Sequence, residues 1–148
     1  MAYVPGERYV RGTYSKSNKV YLARSEVRER PSVTQSAEEA LEAEGFSTLL
    51  AESLLAAFSE NALAVHPFSP IRDNVVRDGE EWVPAVIRYN KVPTRVLLEI
   101  CNLGNESDRK LVKTRKYRQA VAEAVFDGVV EFFEQQGGPD STGKTAAK

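Results

Sequence analysis

One acid interrupts an apolar run. In "TRVLLEICNL", Glu99 follows Val96, Leu97 and Leu98 and precedes Ile100 and Cys101. A carboxyl group partly desolvated near the end of an apolar strand has a raised pKa and can serve as a general acid or base. Ligand chemistry also collects at the carboxyl ends of strands in sheets covered by helices, and Glu99 stands two residues before the expected end of its strand. The competing reading is a strand-end carboxylate in water, or one paired with Arg88 or Arg95. Cys101 lies close by, but a thiol nucleophile needs a base, and no His is near it in sequence. It therefore reads as a small buried hydrophobe. The single His, His66 in "AVHPFSP", does not make a zinc site with scattered acids, because catalytic zinc takes about three protein ligands. It reads as a surface imidazole at a helix end. One Cys excludes an internal disulfide and a thiolate zinc cluster. Trp82 follows "DGEE" in an expected loop, where it would stack on a sugar ring or cap the edge of the core.

The elements that must position these groups follow from periodicity. Residues 8–14 and Val20–Ala23 suit short strands, rich in Tyr, Val and Thr. Residues 1–30 hold seven Lys or Arg against three Asp or Glu, which reads as a solvated edge or as a rim for an anionic ligand. Ser36 is a candidate N-cap for a helix running to about Leu63, with Glu38 and Glu39 in its first turn and Gly45 interrupting its pattern. Phe46, Leu49, Leu50, Leu54, Ala57, Phe58 and Val65 recur at three- and four-residue steps, the apolar face of that helix. Val83–Tyr89 and Arg95–Cys101 read as two β-type runs. Only "NKVPT" separates them, too short for a helical crossover, so antiparallel pairing is expected. The second run is apolar on both faces, as in a central strand. Asn105 or Ser107 would cap a short helix to about Val112. A long helix is expected from about Thr114, with a stripe of Tyr117, Val121, Ala124, Val125, Gly128, Val129, Phe132 and Phe133, ending at Gly137–Gly138. The residues beyond, "PDSTGKTAAK", have no large apolar side chain and read as a disordered tail.

Composition bounds the class. The chain has 148 residues, 42% of them apolar, enough for a globular core. A net charge of -1 gives no global attraction to nucleic acid or anionic membrane. No apolar run is long enough to span a bilayer, and "MAYVPGERYV" lacks the core of a signal peptide. The expected fold is α/β, a mixed sheet flanked by helices, with the two C-terminal strands central and the last helix over one face.

The segment "VPAVIRYNKVPTRVLLEICNLGNESDRKLVKTRKYRQAVAEAVFDGVVEFF" resembles the C-terminal half of the zinc-dependent N-acetylmuramoyl-L-alanine amidases. The family's order is a strand, a Pro turn, a strand ending in Glu, a loop with "SN", a short acidic helix and a long terminal helix. Here these are Val86–Arg88, Pro93, Val96–Glu99, Gly104–Asn105, "ESDRKL" and "YRQAVAEAVFDGVVEFF", with a weaker likeness in "YVRGTYSKS" and "LLAESLLAAF". The resemblance covers roughly Ile71 to Phe133. It implies an incomplete amidase-like domain over residues 1–136, with 137–148 as the tail. It implies cleavage of the amide between the sugar and the peptide stem of peptidoglycan, in the bacterial cell envelope, with Glu99 acting on a zinc-bound water and on the departing amine. The zinc ligands of the family, two His and a Glu, are not visible, so the resemblance places them upstream of Met1, on a polypeptide completing the domain. Two local departures stand out. Pro93 to Glu99 is one residue longer than the common family spacing, and Asn102–Leu103 replace Gly-Phe. The alternative is a non-catalytic remnant that binds stem peptides or a protein partner.

Overall fold

The computed structural model describes residues 1–6, 37–88, 90 and 92–137. Its elements are β1 (Ala2–Tyr3), α1 (Ala37–Glu60), β2 (Ile71–Arg72), β3 (Val75–Arg77), β4 (Glu80–Trp82), α2 (Ala85–Arg88), β5 (Leu97–Leu98), α3 (Glu106–Lys113) and α4 (Arg115–Gln135). This is a small mixed sheet with helices, an α/β arrangement. The expected strands at 8–14 and 20–23, the Ser36 cap and the tail from Gly138 lie outside the described residues. The described residues divide into two compact units. One lies within Met1–Ala2, Leu49–Ile71 and Leu98–Lys148, the other within Tyr3–Thr48 and Arg72–Leu97.

The helix α1 continues unbroken through Gly45 and stops at Glu60, three residues earlier than expected, and contributes Leu49–Glu60 to the first unit. Asn61 and Ala62 then turn the chain, Ala62 in the left-handed region at φ 54°. Phe58, Val121 and Ala124 form a buried cluster, with Leu63, Val65, Leu98, Tyr117 and Val125 packed against it. The helices α1 and α4 come close together at Gly128. A Cβ built there would lie 2.7 Å from the Leu54 Cα and 3.0 Å from the Ser53 carbonyl oxygen. The α4 stripe is buried or half-buried as its spacing predicts, except at Phe133, which is exposed.

In the second unit, Ser47 is fully buried and joins α1 to the turn before β5. Its hydroxyl accepts the Arg95 N–H at 3.0 Å and donates to the Pro93 carbonyl at 3.4 Å. Arg95 is buried, with Nε donating to the Ile87 carbonyl at 3.2 Å and Nη1 to the Val92 carbonyl at 2.7 Å. A guanidinium is tolerated there because carbonyl acceptors replace lost water. The strands β3 and β4 form a hairpin in register Val75↔Trp82, Val76↔Glu81 and Arg77↔Glu80. Asp78 and Gly79 both have positive φ, 53° and 78°, as a two-residue type I′ turn requires. Trp82 therefore ends a strand, where the sequence reading expected a loop.

Two strand expectations fail. Ala85–Arg88 is a short helix instead of part of a strand. Pro84 presets a helical φ at its start, and the Ile87 N–H bonds back to the Pro84 carbonyl at 3.0 Å. Val83 and Ile87 are both buried while Ala85 and Val86 are exposed, so the four-residue period overrides alternation. With that run helical, the Arg95–Cys101 segment has no antiparallel partner there. Only Leu97–Leu98 is strand, and it stands at one end of a three-stranded order β2-β1-β5, so among the described strands β5 is not central. The sheet is mixed. Ala2 N–H bonds to Pro70 O and Val4 N–H to Arg72 O, both at 2.8 Å, advancing in parallel. Met1 and Glu99 instead exchange reciprocal bonds, the antiparallel pattern.

Candidate functional site

Glu99 is the first residue after β5, and its backbone is held on both sides. Its N–H donates to the Met1 carbonyl at 2.8 Å, and the Met1 nitrogen donates to its carbonyl at 3.2 Å. The residue is exposed. The partial desolvation expected of a carboxylate in an apolar strand is therefore absent, because the strand ends one residue earlier.

The segment after Glu99 is fastened to α3 and α4 by polar bonds. The Tyr117 hydroxyl donates to the Ile100 carbonyl at 2.5 Å. The Asn102 N–H donates to the Asp108 carboxylate at 2.7 Å. Asn102 accepts the Gly104 N–H through its side chain at 2.8 Å, a local turn that a Gly at this position could not make. Arg109 Nη1 donates to the Leu103 carbonyl at 2.8 Å. Asn105 is the N-cap of α3, its Oδ1 accepting from Ser107 N at 2.8 Å and Asp108 N at 3.2 Å. Of the two cap candidates Asn105 is the one used, and Thr114 caps α4 by accepting from Tyr117 N at 3.2 Å.

Tyr117 gathers the titratable groups of this corner. Its pKa is raised above the ordinary 10.0, first by burial, then by Cys101 and Asp108 nearby. Its proton therefore stays on the oxygen that donates to Ile100. Cys101 is half-buried and free. His66 is exposed and engaged within its own turn. Its Nδ1 accepts the Phe68 N–H at 3.2 Å and lies against the Phe68 carbonyl, with the two rings edge-on. The side chains of Arg88 and Trp82, the first a candidate partner for Glu99, lie outside the described residues. Sequence reasoning missed the hydroxyl of Tyr117, which it placed only in an apolar stripe. A buried tyrosine ring whose O–H must find an acceptor was the available signal.

Among the described residues, no group of three or more His, Cys, Asp or Glu is placed to hold a metal ion. These residues do not fit the zinc that the amidase resemblance implies, and no chemical step is derived through it. Among the described residues, no helix is long and apolar enough to cross a membrane. No family model, curated protein or solved structure matches this chain.

Proposed function

We propose that this chain carries the C-terminal portion of a peptidoglycan amidase, acting in the cell envelope on the bond between N-acetylmuramic acid and L-alanine. One observation carries the reading. The chain runs from a strand straight into Glu99, then through a tethered loop to an Asn-capped short helix and a long terminal helix, the order of the later elements of the amidase resemblance, although its first strand, Val86–Arg88, is helical here. Glu99 has the chemistry for both halves of amide hydrolysis. Its carboxylate takes a proton as water oxygen bonds to the amide carbonyl carbon. It returns that proton to the nitrogen as the C–N bond breaks, releasing the stem peptide as a neutral amine. Exposure of the side chain leaves it open to a polymeric substrate.

A second reading is favoured by the exposure of Glu99, whose carboxylate lacks the desolvation that tunes a general base. In it the same corner binds stem peptides or a protein partner without cutting. The test uses the protein expressed from its natural gene, purified peptidoglycan and added zinc. Release of stem peptides with a new N-terminal alanine supports hydrolysis. Saturable co-sedimentation with peptidoglycan and no release replaces it by the second reading. Neither release nor binding overturns both.

A further inference from the structure

We propose that α4 is a self-association surface, pairing antiparallel with α4 of a second copy of this chain through the stripe Ala122, Phe126, Val130 and Phe133.

The core takes one side of α4, at Val121, Ala124, Gly128 and Phe132. On the opposite side Phe126 is 68% exposed and Phe133 58% exposed, and Ala122 and Val130 are exposed in line with them. Steps of four, four and three residues set these side chains along one face of the helix. An aromatic side chain carries about 150–250 Å² of surface. The two phenyl groups therefore leave about 200–300 Å² of apolar area in water, near the size at which a patch marks a contact surface. The residues after Gly137 include no Val, Leu, Ile, Met or aromatic side chain with which to cover it.

Shape and charge make a second α4 the occupant. Turned end for end about a two-fold axis at the level of Ala124, the stripe falls on itself. Phe126 then lies over the partner's Ala122, large against small, and symmetry repeats the contact. Phe133 comes to the partner's Arg115, a guanidinium suited to a ring face. The cations of α4, Arg115, Lys116 and Arg118, are all in its first turn, and its acids, Glu123, Asp127, Glu131 and Glu134, all follow. An antiparallel pair sets these opposite charges together, whereas a parallel pair would set like on like. Lys116 and Glu134 are eighteen residues apart, five whole turns at about 3.6 residues each, so they share one flank of the stripe. In the pair that flank meets its own copy, which brings Lys116 to the partner's Glu134 and Glu134 to the partner's Lys116. Glu123, on the same flank near the axis, meets its own copy, a repulsion that keeps the dimer weak. One helix face buries less than the roughly 1,200 Å² of a stable complex, so the dimer is transient, with Kd about 10–100 μM.

Sedimentation velocity on the full chain, from about 5 to about 500 μM, reads the assembly. Wild type should pass from monomer to dimer and stop there, because an isologous contact is closed. Phe126→Glu should weaken dimerisation at least about tenfold, with a urea midpoint close to wild type. Lys116→Glu and Glu134→Lys should each weaken it about three- to tenfold, and the double variant should return to within about twofold of wild type. Both reversals suit the helix dipole, so these variants keep the test open even if Phe126→Glu fails to fold. A monomer at every concentration, growth beyond the dimer, or a dimer indifferent to Phe126→Glu in a folded protein would overturn the proposal. So would single charge reversals without effect, or a double reversal that restores nothing.

Discussion

Replacing Gly128 by Ala should destabilise the protein, while the same change at Gly45 should stabilise it. Both glycines lie inside helices, so both gain about 1 kcal/mol of intrinsic helix preference from the change. Their surroundings differ. At Gly45 a Cβ meets nothing within 4 Å. At Gly128 it meets the Leu54 Cα at 2.7 Å, with Leu54 N and Ser53 O at 3.0 Å. Comfortable carbon–carbon contact is about 3.5–4.0 Å, so α1 and α4 would have to separate by roughly 1 Å. No side-chain rotation can relieve the clash, because every opposing atom is backbone. Overpacking of this kind costs about 1–3 kcal/mol, with backbone contacts at the upper end. Subtracting the propensity gain leaves a net loss of about 1–2 kcal/mol for Gly128→Ala, against a gain of about 0.5–1 kcal/mol for Gly45→Ala. Urea titration of both variants, with m held common, reads the difference directly. A Gly128→Ala midpoint at or above wild type would refute the close approach of α1 and α4. A loss at Gly45 equal to that at Gly128 would refute the contrast in packing.

Asn105→Ala removes the acceptor for two N–H groups of α3 and should cost about 1 kcal/mol by urea unfolding; the cost should be much smaller for Asn105→Asp. Tyr117 binds its proton more tightly folded than unfolded, since its pKa is raised from 10.0. Its contribution is therefore complete below pH 10 and lost as pH rises through the higher folded value. Stability measured from pH 9 upward should fall more steeply for wild type than for Tyr117→Phe, and parallel curves would show that the phenol is not linked to folding.

The C-terminal helices were the most legible part of the chain. Asn105 and Thr114 are side chains that compete for helix-end N–H groups, and the α4 stripe spans enough turns to establish its period. The strands were not, because runs of two or three residues carry no alternation. Val83–Tyr89 looks β-like by composition, yet Pro84 starts a helical turn and the apolar residues 83 and 87 are one turn apart. The β3–β4 hairpin has its signal in the open, Asp78–Gly79 between "VVR" and "EEW". Of the candidate site, Glu99 could be picked out by the oddity of an acid in an apolar run. Its exposure could not, since that depends on β5 stopping at Leu98. Nor could the Tyr117–Ile100 bond, which joins residues seventeen apart through the packing of α4.

The account turns on whether the Glu99 carboxylate moves the proton. Glu99→Gln keeps the size and hydrogen-bonding reach of the side chain and removes the base. The decisive measurement is the rate of stem-peptide release from purified peptidoglycan by wild type and Glu99→Gln, at equal zinc loading, in the protein expressed from its natural gene. The rate should fall by at least about 100-fold, the usual scale for loss of a general base. The unfolding midpoint should hardly move, because an exposed side chain away from the core changes stability by less than about 0.5 kcal/mol. Equal rates for the two proteins would make Glu99 a surface carboxylate and contradict the catalytic reading.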